Sequence, residues 1–423
     1  MSSQATTFVR YPAEAVDPAP LGEPLVFPFS KRVAMNRFLK SAMSERLATF
    51  HPTDLSARGI PLPELITLYR RWGEGQWGQL LTGNVMIDAG HLEAPGNPII
   101  PVDAAFEGER FEAFKALAAE AKAQGSLILA QVSHPGRQTT IDVQPNPISA
   151  SNVQLVASAV GKGHGVPRPA TAEDIAHVIE GFAHAAEYLE KAGFDGIQLH
   201  GAHGYLLAQF LSPTTNQRTD KYGGSLENRM RLILEVAAAI KARVSSSFVL
   251  GIKINSVEFQ EKGFTPEEAL LLCQALEKAE FDYVETSGGT YESGGFVHKK
   301  ESTRKRENYF IEFSERIHAA LSETKVYTTG GFKTVAGMVD TLKSVDGVGI
   351  ARAATQEPDL PRVLLERRAN ATYKFAGDED NLVLRLLGSV MQIQQMGRDQ
   401  AIVDLSQPEG VKQVISTMMK AKA

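Results

Sequence analysis

The chain has 423 residues, 43% hydrophobic and 22% charged, with 44 basic against 49 acidic side chains and a formal net charge of −5. These proportions are ordinary for a globular protein. They exclude the broad basic face that neutralises many backbone phosphates, so nucleic acid is not an expected partner. The single cysteine, Cys273, cannot close an internal disulfide, hold an iron–sulfur cluster or build a cysteine zinc site. It lies in the apolar run Leu270-Leu271-Leu272-Cys273 and reads as a small buried hydrophobe.

In chain order, the segment Met1 to Leu21 is polar and rich in Pro and Ala, without an apolar h-region. No stretch approaches the roughly 20 apolar residues of a membrane span. A cytoplasmic protein with no membrane partner is the expectation. A β-rich run at Val33–Met43 comes first, then a helical pattern at Leu62–Gly73, a run at Gly78–Val85 and a helix at Glu107–Gln124. The third run, Leu127–Val132, is followed by the long connection 133–170. The helix Thr171–Ala192 opens on Thr171-Ala172-Glu173-Asp174 and ends at Gly193. Gly196–His200, helix Ser225–Val244, Phe248–Ile254 and helix Thr265–Ala279 follow, the last with Pro266 at its first position. After Phe281–Thr286 comes a second long connection, 287–310, then helix Ile311–Ser322, Lys325–Thr329, helix Thr334–Ser344, Gly347–Ala351 and helix Asp359–Arg368.

Eight strand-and-helix units predict an α/β fold with a parallel sheet, closed as a (β/α)8 TIM barrel with long βα loops. An open doubly wound sheet is the runner-up, but no Gly-x-Gly-x-x-Gly follows the first strand. Residues 1–369 are assigned to the barrel and 370–423 to a C-terminal helical extension with helices at Leu382–Met396 and Glu409–Lys420. The extension covers the barrel or forms a subunit contact in a homo-oligomer. Both long connections follow strand C-termini, where barrels build their sites, and read as walls and lids.

The stretch from His200-Gly201-Ala202-His203-Gly204-Tyr205 to Gln209-Phe210-Leu211-Ser212-Pro213 puts two imidazoles and a phenol at the end of the fourth strand. Three readings stand. The imidazoles polarise a substrate oxygen while the phenol serves as general acid; the histidines bind a metal, though no carboxylate lies between them; or all three are structural.

At these residues the chain resembles the old yellow enzyme family of FMN-dependent ene-reductases, also described as NADH:flavin oxidoreductases. The resemblance continues through Asn216-Gln217-Arg218-Thr219-Asp220-Lys221-Tyr222-Gly223-Gly224-Ser225-Leu226-Glu227-Asn228-Arg229 and is spread from Asn36 to Pro361. It implies FMN as cofactor, NAD(P)H as hydride donor and a small unsaturated molecule as substrate, with no metal. It makes His200 and His203 the pair that binds the electron-withdrawing oxygen of the substrate, and Tyr205 the proton donor to the α-carbon. Lys40-Ser41-Ala42-Met43-Ser44 resembles the segment beside the isoalloxazine, with Ser44 where Thr or Cys is common. Gly83 matches a position that admits the ring edge. Gln131, closing an apolar strand, needs a hydrogen-bonding partner, and the resemblance supplies the flavin pyrimidine. Lys253 stands where many members have Arg. As a buried cation it needs an anion: reduced flavin or a nearby carboxylate. Gly330, Gly331, Ala351 and Arg352, at the ends of strands seven and eight, match the phosphate site, with Ala351 in place of the usual Gly.

Tyr291 and Phe296 are candidate substrate-wall aromatics, and the basic run 299–306 is a solvated face or a contact for NADPH phosphates. His134 organises its loop or touches flavin or substrate, and Arg218 and Asp220 are expected to be structural. The alternatives from other classes are a flavin-free barrel lyase or aldolase using Lys253, and a flavin-binding protein with little turnover. A dienoyl-CoA reductase type fails for want of cluster cysteines.

Overall fold

Runs of apolar residues with no polar face suit strands covered on both sides by crossover helices. The computed structural model of the chain describes residues 8–156, 163–255, 263–287 and 313–422. Its eight parallel strands close into a barrel. They are β1 (Phe38–Lys40), β2 (Gln79–Met86), β3 (Leu127–Ser133), β4 (Gly196–Gly201), β5 (Val249–Asn255), β6 (Tyr283–Ser287), β7 (Lys325–Thr329) and β8 (Gly347–Ile350). Closure is made by β8 on β1, with Val348 opposite Phe38.

Local chemistry sets the helix starts. Thr171 and Thr265 each form a capping box, with Asp174 and Glu268 returning the bond to the cap backbone. The first expected strand is shorter than its apolar pattern. Val33–Ala34 pairs antiparallel with Leu25–Val26, and Asn36 Oδ1 then accepts the Phe38 N–H at 3.0 Å. That side-chain bond replaces a ladder bond and breaks the run in two. The hairpin so formed closes the bottom of the barrel, where Leu25 and Phe27 pack with Leu39, Leu129, Tyr283 and Tyr327.

Alternation along each strand selects what faces inward. On β3 the inward series is Leu129 then Gln131; on β5, Val249 then Lys253; on β6, Tyr283 then Glu285. Each runs from the apolar bottom cluster to a polar upper layer. Past the eighth strand, Leu382–Gly397 lies over the flank, with Gln394 Nε2 donating to Glu45 O at 3.1 Å. Tyr373, Phe375, Leu384, Leu405 and Val411 form a small core of their own there. Among the described residues no helix is long and apolar enough to cross a membrane.

Candidate active site

His200, next to last in β4, is in register with Lys253 of β5. Beyond Gly201 the chain reverses through His203 (φ 57°) and Gly204 (φ 77°). A non-glycine residue held in that region carries about 1–3 kcal/mol of strain. Three bonds hold it: His203 N–H to Asn255 Oδ1 at 3.1 Å, Gln138 Nε2 to His203 O at 2.7 Å, and His203 Nε2 with Ser287 Oγ at 2.9 Å. Tyr205 then sits at the N-cap of helix Leu206–Leu211.

The turn brings the three expected groups together. The His200 and Tyr205 rings stack with centroids 4.1 Å apart, and the His203 ring stands edge-on to His200 at 5.3 Å. Burial first, then His203 and Lys253, holds His200 well below the usual imidazole range. Burial and Lys253 lower His203 to about 3. Both imidazoles are therefore neutral at pH 7. Ala202 N–H points at His200 Nδ1 at 3.4 Å, which leaves the His200 proton on Nε2 as a donor. Asn84 Nδ2 donates to the Tyr205 hydroxyl oxygen at 3.0 Å.

Beneath them lies a polar floor, buried except at the half-exposed Thr329. Lys253 Nζ pairs with Glu285 Oε1 at 2.9 Å. Gln198 Nε2 donates to Glu285 Oε2 at 2.8 Å, and Gln131 Nε2 donates to Gln198 Oε1 at 2.7 Å. Thr329 donates to Glu285 and meets Ser41 Oγ at 2.8 Å. Gly349 makes that last approach feasible, since a Cβ there would lie 1.9 Å from Thr329 Oγ1 and 2.6 Å from Ser41 Oγ. Burial pushes the Glu285 carboxyl up, but Lys253, Thr329 and Gln198 outweigh it and leave it below its ordinary value.

The segment after β1 is held mainly by protein. Ser44 Oγ donates to Glu93 at 2.8 Å. A Cβ on Gly83 would lie 2.3 Å from both Glu45 Oε2 and Met43 O, so its smallness is already used by this loop. Glu45 also accepts from Gly83 N at 2.7 Å and from Tyr69. Ala42 packs on the lower barrel cluster and Met43 on the outer core.

At β8, Arg352 Nη1 is buried with no hydrogen-bond partner among the described residues. Burial and then Arg385 lower its pKa to about 10. A desolvated guanidinium nitrogen without a carboxylate fits an anion such as a phosphate. Gly330 and Gly331, just past the end of β7, are exposed, and a Cβ at Gly330 would meet nothing within 4 Å. Ala351 is half-buried. Tyr291, Phe296 and the run 299–306 lie outside the described residues.

A second cluster joins Asp88, His91 and His134, close enough for one ion. Its hydrogen bonds argue otherwise. His134 Nδ1 accepts from Gly136 N at 3.0 Å and His91 Nε2 from Ile148 N at 3.4 Å, so the protons sit on the nitrogens turned toward Asp88. Neutral imidazoles so arranged offer a metal no lone pair. The cluster pins the loops after β2 and β3. Arg218 bonds Asp220 and the carbonyls of Ala150 and Ala170, a structural clasp.

The sequence reading missed Asn84, Glu45, Gln198 and Glu285. For the last two there was a signal: each is a polar residue inside a strand too apolar to leave it without a partner.

Fold and site together define a (β/α)8 barrel whose mouth carries neutral donors over a buried polar floor. The chain belongs to the NADH:flavin oxidoreductase / NADH oxidase family, whose model matches residues 33–371. It is 52% identical over 400 residues to the NADH-dependent flavin oxidoreductase nadA of Aspergillus parasiticus, covering 94% of this chain and 90% of that one. Two solved structures share the fold at low identity. A complex of 2-naphthoyl-CoA reductase with 2-naphthoyl-CoA aligns at TM-score 0.75 and 22% identity, over 94% of this chain and 58% of that one. Morphinone reductase with tetrahydroNAD aligns at 0.66 and 21%, over 83% and 91%. The protein is thus an FMN-dependent oxidoreductase of the old yellow enzyme type, with NAD(P)H as hydride donor.

Proposed function

We propose that this enzyme reduces the C=C bond of a small α,β-unsaturated carbonyl or nitro compound, with NADH as the donor used by its relative at 52% identity. FMN bound there would supply the hydride chemistry between the nicotinamide and the β-carbon of the substrate. Ser41, Ala42, Met43, Ser44, Gly83, Gln131 and Lys253 would hold its ring, and Gly330, Gly331, Ala351 and Arg352 its phosphate.

The chain's own residues do the rest. As negative charge builds on the electron-withdrawing oxygen, His200 Nε2–H and the His203 imidazole donate to it. Donors fixed in advance stabilise that charge more than the ground state. Tyr205 delivers its phenolic proton to the α-carbon. The Asn84 N–H stabilises the oxygen left behind and is satisfied without consuming the Tyr205 proton. The observation that carries this reading is the stack of His200 on Tyr205 beside His203, with both imidazoles neutral. Lys253 Nζ is engaged by Glu285 at 2.9 Å, which speaks against an aldolase-type nucleophile.

The purified protein should be yellow, bleach anaerobically with NADH and recolour with 2-cyclohexenone. A colourless protein that FMN cannot reconstitute overturns the assignment. A yellow protein that reoxidises with oxygen but with no enone, maleimide or nitroalkene overturns the substrate class alone.

A further inference from the structure

The floor beneath the mouth is a hydrogen-bonded chain with a direction, and one residue sets it. A carboxylate accepts and never donates. With Glu285 ionised, Gln198 must turn its nitrogen toward it, and so turns its oxygen toward Gln131. Gln131 answers with its nitrogen, which leaves its carbonyl oxygen at the end of the row. On the other side, Thr329 spends its only proton on Glu285, so Ser41 must donate to Thr329. Two donor chains therefore run inward to one carboxylate, Ser41 to Thr329 to Glu285 and Gln131 to Gln198 to Glu285, while the second N–H of Gln198 reaches the Tyr283 hydroxyl. At its outer ends the row offers lone pairs on Ser41 Oγ and on the Gln131 carbonyl, the latter beside the second N–H of Gln131.

The same carboxylate balances the Lys253 ammonium beside it. Lys253 and Glu285 are 4% and 0% exposed, and a charge so deep needs its counter-ion. Without Glu285 the floor would carry a net positive charge; without Lys253, a net negative one.

We propose that Glu285 is the residue that sets the charge and the hydrogen-bond polarity of the cofactor floor, and through them the reduction potential of the bound flavin. It is a positioning residue: it acts through Lys253 and Gln131. The polarity it imposes turns the Gln131 carbonyl toward an N–H donor, the group a pyrimidine-type imide edge presents. The charge balance it imposes keeps Lys253 from stabilising the anionic reduced ring at full strength. The inference rests on the reading that Lys253 and Gln131 face the flavin.

The test is the two-electron midpoint potential and FMN dissociation constant of holoenzyme variants, both read without turnover. Glu285→Gln removes the charge and the strict acceptor. It should shift the oxidised/reduced equilibrium at least tenfold toward the reduced form, about 30 mV upward for a two-electron couple. It should also weaken oxidised FMN at least threefold through loss of the Gln131 orientation. Lys253→Met should shift the equilibrium at least tenfold the other way. The double variant K253M/E285Q, neutral again, should return to within threefold of the parent. Should Glu285→Gln fail to fold, Lys253→Met and the double variant carry the same sign test. A yellow parent whose potential is unmoved in these variants overturns the proposal; a parent that never takes up FMN overturns the flavin reading instead.

Discussion

The two ends of the barrel interior are built from the same eight strands and differ in almost everything else. At the bottom, Leu39, Leu129, Tyr283 and Tyr327 form an apolar plug sealed by Phe27 from the hairpin. One turn of alternation higher, Ser41, Gln131, Glu285 and Thr329 occupy the corresponding inward places and satisfy one another by hydrogen bonds. Apolar packing tolerates approximate fit, whereas a buried polar row is stable only when each member is paired. The bottom should therefore govern whether the protein folds, and the top what it does once folded.

The sharpest way to separate them is at the mouth. Tyr205→Phe keeps the ring stacked on His200 and removes only the proton. Reoxidation of the reduced enzyme by an enone should slow by about 10²–10⁴-fold, the usual worth of general acid catalysis. Flavin reduction by NADH should stay within about twofold. Stopped-flow measurement of the two half-reactions checks this, and equal slowing of both removes Tyr205 from the proton-donor role. The reciprocal variant is Phe27→Ala, at the fully buried ring 5.6 Å from Tyr283. A buried Phe→Ala change costs about 3–5 kcal/mol, visible as a lower Tm and denaturation midpoint. The flavin potential and the kcat of the folded fraction should not move; if they do, the plug is not separate from the floor.

Most of the fold could be read in the sequence because its signals are local. The capping boxes at Thr171 and Thr265 and the eight apolar runs need only a few neighbours to interpret. The grouping of His200, His203 and Tyr205 was legible for the same reason, since the three fall within six residues. What stayed hidden depends on which residue faces which across the barrel. Glu285 lies 87 residues from Gln198, and Asn84 lies 121 from Tyr205. Asn84 was further masked by a register shift between Leu81 and Asn84, which breaks the strict alternation that assigns inward positions. The break at Asn36 depended on a side chain competing for a backbone bond, a choice the apolar pattern of Val33–Met43 could not show.

Acid should expose the upper region before the plug. Burial depresses the folded-state pKa of His134, His200 and His203. Below the unfolded value near 6.5 the denatured chain takes up protons that the folded chain refuses. Stability then falls with decreasing pH from about 6.5 toward 3, by about 1–2 kcal/mol per imidazole at pH 5, and is flat with respect to these groups above 6.5. Thermal melts of the holoenzyme at pH 7.5, 6 and 5 measure it; a Tm unchanged down to pH 5 means the imidazoles are not held neutral by the fold.

The smallest effect tests the link between Tyr205 and the loop after β1. Asn84 donates to the Tyr205 hydroxyl at 3.0 Å and to Ser44 Oγ at 3.3 Å, while Ser44 itself is held by Glu93. One hydrogen bond of this kind is worth about 0.5–1.5 kcal/mol, so Asn84→Ala should slow enone-dependent reoxidation by about 2–10-fold and leave reduction by NADH alone. The bond stabilises the oxygen after its proton has gone. The slowing should therefore depend on how basic the substrate α-carbon becomes, largest for weakly activated enones and least for nitroalkenes. Ser44→Ala separates this from mere loosening of the loop, because it keeps the Asn84 bond to Tyr205 and removes the bonds of Ser44 to Glu93 and to Asn84. Equal slowing in the two variants, with no dependence on substrate activation, would place the effect in the loop and take Asn84 out of the chemistry.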